Sequence, residues 1–575
     1  MSSATVHPRQ RRTGAARFLP LLGWFPDCTG RTLRADAVAG LTVGVVLVPQ
    51  AMAYAALAGV PPAVGLYASV VPLAAYALLG TSGTLAVGPV AVTSLMTAAA
   101  LAPLADGDPA RYAALAALLA LMVGAAQLVM GAARLGGIAD FLSHSVLSGF
   151  ASASAVLIMA SQVRDLFGLH AVRASTLPET AAAVAGGLTT AHGPTVAVAA
   201  VAAVVLFAVG RLFPRVPASL VVVASLTALS AAAGLESRGV AVLGEVPSGL
   251  PAPALPSTRD ATALLPAALA IALVGFTESV AVAGSLARRT GQRISPNGEL
   301  VAMGAANASS GLFGGLPVAG GFARSAVNLA AGARTPVASL VSALVVAVTA
   351  LLFTPLMSAL PSAVLAVTVV AAAVGLVDVR GAVTAWRTRR SDGLALVLTF
   401  AATLLFGVEP GIATGVAFSL GAFLWRSSRP HTAELGRVPG TGTFRNLERF
   451  EGLDTEPTIA VVRVDAPLYF ANAHRVADTL LAAVEGRPEV RTLVLDASAI
   501  GGCDLDGAHA LTETRRALRS RGITLRLATV RGPVRDVLTG DGVWDDMRDA
   551  GQVHPDVASA VSVARGAAST EAGDP

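Results

Sequence analysis

Apolar runs follow one another from about residue 38 to residue 426. Each is near the ~20 residues that a helix needs to cross a hydrocarbon core ~30 Å thick. Lipid supplies no hydrogen bonds, so runs of this kind must satisfy their own backbone as helices. Spans are expected at 38–57, 64–80, 110–133, 138–161, 194–213 and 217–235, then at 262–287, 297–314, 336–354, 360–377, 391–408 and 410–427. Two further runs, 89–103 and 322–333, are too short to cross alone. Counting both gives fourteen elements, an even number that puts both termini on one side, the cytoplasm. The stretch 240–256, rich in proline and glycine, reads as the connector between halves.

Charge agrees with a membrane reading. Only 13% of residues are charged, against ~25% in soluble domains. The net charge of +5 invites a nucleic-acid reading, but its placement argues otherwise. The chain has no lysine, and Arg9, Arg11, Arg12, Arg17, Arg31 and Arg34 gather ahead of the first apolar run. That is the positive-inside pattern, with no nucleic-acid partner implied. Cys28 and Cys503 lie far apart and form no CxxC pair. Hydrolase elbow, Walker loop and HExxH are all lacking. The chain reads as no enzyme, with no metal and no cofactor expected.

The two short runs occupy matching places, third in each set of seven. Each follows an extended glycine- and proline-rich stretch, TSGTLAVGPVAVTSLM and GLFGGLPVAGGFARSAVN. Paired interrupted segments point to a transporter binding site built on inverted repeats; two re-entrant structural loops are the alternative. Pro89 stands where the first short helix should begin, so free N–H groups would point into the membrane. The second short helix begins near Phe322, with Arg324 in its first turn. A charge at mid-membrane costs at least ~2.5–3.5 kcal/mol, so Arg324 must be paired, hydrated or working. Glu278, in ALVGFTESVAVAG, carries the same cost. It is a coupling group or a structural bridge, with Arg324 as one partner. In the first span Pro49 removes a helical hydrogen bond, and Gln50 and Tyr54 share a face beside it. They bind an anion or serve as packing glue. Asp140 and His144 read as interfacial, and Glu299 and Asn307 as helix-packing polars.

After Trp425 charges become frequent. Residues 458–466, 492–498 and 523–530 read as buried strands, separated by segments of helical spacing. Strand–helix alternation argues a small α/β domain. The chain therefore divides into an N-terminal segment (1–35), a transmembrane domain (36–428), a soluble domain (431–565) and a disordered tail (566–575).

The motifs GLTVGVVLVPQAMAYA, GPVAVTSLM, FTES and GGLPVAGGFARSAVN together resemble the sulfate permease (SulP) family of anion transporters. LVLDAS followed by CDLDGAHAL resembles the STAS domain that such transporters carry. The resemblance runs from about residue 20 to 560. It implies fourteen segments in two inverted seven-segment repeats, forming core and gate domains, and a homodimer in the cell membrane. It implies an anion site lined by Gln50, Tyr54, Val90, Ala91, Ala323 and Arg324, with Glu278 as the proton-coupling carboxylate. In sodium–bicarbonate relatives an aspartate stands at that position with cation-binding hydroxyls nearby; here Ser279 and Ser285 are the local hydroxyls.

Two departures stand out. Ala323 replaces the serine many members place before the arginine, and Asp506 stands where signalling relatives of the STAS domain carry a phosphorylatable residue. The expected function is proton-coupled sulfate uptake by alternating access. Sodium-coupled bicarbonate transport, proton-coupled dicarboxylate transport and a transport-inactive STAS-bearing scaffold remain the alternatives.

Overall fold

The computed structural model describes residues 24–105, 108–137, 143–169, 176–213, 217–244 and 249–571. Asp140, four of the six N-terminal arginines and residues 572–575 lie outside these ranges. Two compact units divide after Ser419.

Each expected run is helical over most of its described residues. The first half holds α1 (Gly30–Ala58), α2 (Pro62–Tyr67), α3 (Val71–Leu79), the strand β1 (Val87–Gly88), α4 (Ala91–Leu101), α5 (Pro109–Ala132), α6 (His144–Phe167), α7 (Leu177–Gly187), α8 (Gly193–Leu212) and α9 (Ala218–Ala233). The second half holds α10 (Ala261–Thr290), α11 (Pro296–Leu312), β2 (Ala319–Gly320), α12 (Phe322–Ala330), α13 (Val337–Leu352), α14 (Ser362–Val374), α15 (Val379–Thr388) and α16 (Arg390–Phe406), and α17 (Val408–Ser427) runs through the division after Ser419. By length and composition, seven segments among the described residues can cross a membrane whole, and the chain is a multi-pass membrane protein. The sequence reading did not foresee α7 and α15, which are too short and too polar to register as spans. It also expected Pro49 to break the first span, whereas α1 runs on through it.

The most extensive helix pairing joins α5 to α11, and glycine makes it possible. A Cβ on Gly124 would stand 2.3 Å from the Ala308 nitrogen, and one on Gly311 2.5 Å from the Ala117 carbonyl. Small residues let membrane helices approach to backbone contact, where dispersion rather than hydrophobicity holds them.

β1 and β2 pair antiparallel, Val87 opposite Gly320 and Gly88 opposite Ala319, and a short helix leaves each strand. Side chains from neighbouring helices secure this crossing. On α11, Asn307 accepts from the Val318 N–H (2.8 Å) and donates to the Val318 carbonyl (3.0 Å) and to Gln127 of α5 (3.0 Å). Ser279 of α10 accepts from the Gly320 N–H at 2.8 Å, and Ser325 of α12 from the Ala86 N–H at 2.8 Å. Glu299, fully buried, accepts from the Tyr76 hydroxyl (2.9 Å) and from the Thr81 N–H (2.9 Å) and hydroxyl (2.5 Å), tying α11 to the start of the extended stretch.

The second unit contains a six-stranded sheet made of β3 (Thr432–Arg437), β4 (Phe444–Asn446), β5 (Ile459–Val464), β6 (Thr492–Asp496), β7 (Thr524–Ala528) and β8 (Val553–His554). Its order is β4-β3-β5-β6-β7-β8; β5 to β8 run parallel, and β3 is antiparallel to both neighbours. On one face pack α18 (Ala473–Ala482), α19 (Leu505–Arg519), α20 (Gly532–Gly540) and α21 (Val543–Asp549). On the other lies α22 (Val557–Glu571), which continues through residues 566–571 where a tail was expected. The three buried parallel strands match expectation; β3, β4 and β8 are short or mixed in composition and gave no clear signal. Asp504 caps α19, accepting from the Gly507 N–H at 2.8 Å, and Asp506 is exposed in its first turn. Burial, with Asp504 and Asp541 nearby, pushes the Cys503 thiol up to about 11, so it stays protonated at neutral pH.

Two outcomes follow from this packing. Gly124→Val should overpack the α5–α11 contact and cost ~1–3 kcal/mol, read as a lower melting temperature in detergent; an unchanged melt would contradict the contact. Asn307→Ala should leave the Val318 N–H unsatisfied at a cost of ~1–3 kcal/mol and weaken anion binding in protein that still inserts. Wild-type melting and affinity in that variant would show the crossing is held by other means.

Candidate functional site

The site assembles around the strand crossing. Val90 is the N-cap of α4, extended at φ −132° and ψ 154°, and Ala91 is its first residue; both are buried. Gly321 is the N-cap of α12, and neither cap supplies a side-chain hydrogen bond. Two helix N-termini thus begin directly after paired strands, with no side-chain hydrogen bond from either N-cap residue. Helix starts of this kind attract anions through aligned N–H groups and the helix dipole.

Arg324 lies in the first turn of α12 and is 3% exposed. It reaches across the crossing to the other half of the unit, where Nη1 donates to the Pro89 carbonyl at 2.7 Å. Glycines make room for the guanidinium. A Cβ on Gly321 would stand 3.0 Å from Nη2, and one on Gly88 3.2 Å from the same atom. Gly88 also has φ +149°, a conformation other residues rarely adopt. Among the described residues Nε and Nη2 find no hydrogen-bond partner, although both are buried. The arginine is held by one bond and keeps donors unspent.

Glu278 lies in mid-α10, a helix that packs against both α4 and β2. Its Oε2 is likewise buried without a hydrogen-bond partner among the described residues, and no ion pair there joins it to Arg324. Glu278, Arg324 and Tyr54 lie near one another, outside ion-pair distance. Tyr54 is buried on α1 in one apolar cluster with Ala91 and Leu47. Gln50, one turn earlier, is half-buried. α1 packs against α4 and α12, so α1, α4, α10 and α12 converge on one place.

The structure therefore brings Gln50, Tyr54, Val90, Ala91, Glu278 and Arg324 to the neighbourhood of the crossing. Ala323 also lies there, exposed beside an exposed Phe322, and offers no hydroxyl. His144 is elsewhere, exposed at the start of α6. Sequence reasoning missed Ser325, whose hydroxyl donates to the Gly321 carbonyl at 2.7 Å while accepting from Ala86. It also missed Gln127, which donates to the Ala272 carbonyl at 3.1 Å. A lone polar residue inside an apolar run was the available signal. Ser279 was read as a cation-site hydroxyl; here it accepts from Gly320 and donates to the Gly275 carbonyl at 2.5 Å.

Residues 33–399 match the sulfate permease family, and residues 453–560 match the STAS domain. A "Probable sulfate transporter" of Mycobacterium tuberculosis is 39% identical over 534 residues, covering 92% of this chain and 95% of the relative. The chloroplastic sulfate transporter 4.1 of Arabidopsis thaliana is 36% identical over 521 residues, covering 87% and 75%. Among solved structures, the murine Solute Carrier 26 family member A9 anion transporter in its inward-facing state superposes with a TM-score of 0.91 at 25% identity, covering 98% and 96%. The transmembrane domain of the cyanobacterial bicarbonate transporter BicA gives 0.59 at 25% identity, covering 67% of this chain and 98% of that one. The match runs through the crossing strands, both short helices and most of the C-terminal α/β unit, and the chain belongs to the sulfate permease family, a family of transporters rather than enzymes.

Proposed function

We propose that the protein carries a small inorganic anion, sulfate first among candidates, across the cell membrane together with protons. The observation that carries this reading is Arg324, a buried guanidinium with unspent donors beside two uncapped helix starts. An oxyanion placed there would meet backbone N–H groups of α4 and α12 and the arginine's charge. Without a hydroxyl at Ala323, recognition rests on backbone and charge. That suits a symmetric, multiply charged anion. The names of the relatives from Mycobacterium tuberculosis and Arabidopsis thaliana support sulfate.

Glu278 is the coupling group in this reading. Ionised, it repels an anion in the same water-poor space; protonated, it does not. Proton and anion therefore favour each other's binding, and the coupling is reciprocal. A proton is favoured over sodium because Ser279, the adjacent hydroxyl, is engaged with Gly320 and Gly275. The absence of an ion pair to Arg324 speaks for coupling and against a structural bridge. Transport proceeds by movement of the core helices against the gate helices, in a homodimer whose termini and STAS domains face the cytoplasm.

Radiolabelled sulfate uptake in proteoliposomes under an imposed pH gradient, with competing anions, tests the whole reading. Arg324→Ala removes a charged hydrogen-bond donor worth ~1.5–3 kcal/mol, roughly a 10- to 150-fold loss of affinity. Arg324→Lys should recover part of it. Wild-type affinity in folded Arg324→Ala would remove the arginine from the site. Glu278→Gln imitates the protonated acid, so the variant should still bind and exchange anion but lose accumulation driven by the pH gradient. Undiminished accumulation would exclude Glu278 as the coupling group, and failure to fold would favour the bridge.

A further inference from the structure

Between the apolar helices α14 and α16 the chain makes a separate helix, α15. Asp378 caps it, accepting from the Gly381 N–H at 2.8 Å, and Arg389 ends it in an extended conformation (φ −155°, ψ 116°). No residue of α15 is buried. Val379, Val383 and Trp386 are 64%, 46% and 49% exposed, and their spacing puts them on one stripe. Arg380 and Arg387 fall on a neighbouring stripe, and Arg389 and Arg390 follow at once. All four arginines are exposed, and among the described residues none forms an ion pair. The adjacent acids are engaged elsewhere. Asp378 is spent on the cap, and Asp392 accepts from the Ser391 hydroxyl at 3.3 Å.

A water-facing helix has no use for an exposed Val–Val–Trp stripe, and a helix crossing the bilayer would not carry these arginines. Both are at home where acyl chains meet headgroups, with tryptophan at the boundary and arginine among the phosphates. Connectivity requires that place, since α15 joins the ends of two apolar helices. We propose that α15 lies in the interfacial plane and that Arg380, Arg387, Arg389 and Arg390 bind the phosphate headgroups of anionic phospholipid. Each basic side chain near an anionic leaflet raises partitioning about fivefold, so acidic lipid is enriched along this helix over zwitterionic lipid. Guanidinium suits the task because its fork of donors matches phosphate oxygens. α15 packs against α6 and α16, so a bound headgroup layer anchors those two helices as well.

Trp386 is the probe. The chain has four tryptophans; replacing Trp24, Trp425 and Trp544 with phenylalanine in the full-length protein leaves Trp386 as sole emitter. The protein is reconstituted into phosphatidylcholine vesicles holding an equal small fraction of brominated phosphatidylcholine or brominated phosphatidylglycerol. Brominated phosphatidylglycerol should quench Trp386 several-fold more strongly, and the difference should shrink as salt is raised. The combined Arg380→Gln, Arg387→Gln, Arg389→Gln and Arg390→Gln variant should abolish it. Equal quenching by the two lipids in the parent protein overturns the proposal without recourse to the variant. So does the absence of quenching by either, which would mean that protein, not lipid, covers the helix.

Discussion

The pairing of β1 with β2 is the constraint on which the rest of the membrane unit depends. Extended backbone inside a bilayer is tolerable only when every donor and acceptor finds a partner. Here two extended stretches pair with each other, and further backbone groups along them are met by side chains that include Asn307, Ser279, Ser325, Asn328 and Arg324. Each strand then launches a short helix whose start lies inside the protein. In the proposed reading, a binding site for charge arises from this backbone geometry, with side chains serving chiefly to hold it.

Arg324 shows how closely support and function are joined. Its one hydrogen bond crosses from the second half of the unit to Pro89 in the first, so it helps hold together the frame that it also charges. Gly88 and Gly321 are small because the guanidinium passes beside them. The neighbouring acid stays outside hydrogen-bond range, which leaves both charges responsive to what enters the site. A tight salt bridge there would have been self-contained.

The polar residues of the membrane unit fall into two groups. Glu299, Asn307, Gln127 and Ser325 spend their groups on backbone or on each other and fix helices in place. Buried atoms are left unpartnered in Thr84, Ser94, Ser154, Ser230 and Asn328 and, as parts of charged groups, in Glu278 and Arg324. Burying a polar atom without a partner costs free energy, and most for a charged group. Charge and an unpartnered atom together, rather than either alone, single out Glu278 and Arg324 among the described residues of this unit.

Much of the architecture was legible in the sequence, because the bilayer imposes a simple demand. Length and apolarity placed most spans to within a few residues, although α1 begins eight residues before its expected start, α6 ends six residues past its expected end and the expected span 64–80 is two helices; paired glycine–proline stretches marked both short helices. Gln50, Tyr54, Glu278 and Arg324 could be singled out because isolated polar groups in apolar runs are expensive. What the sequence could not express was partnership. That Arg324 reaches Pro89, that Asn307 grips Val318 and that Glu278 lacks a bridge depend on contacts between residues far apart in the chain. The helices α7 and α15 escaped notice because neither is long and apolar, and α15 is explained only by the two membrane helices that it joins. Hydrophobic period and length determine which segments enter the bilayer; packing alone decides which polar groups are satisfied there and which are left to work.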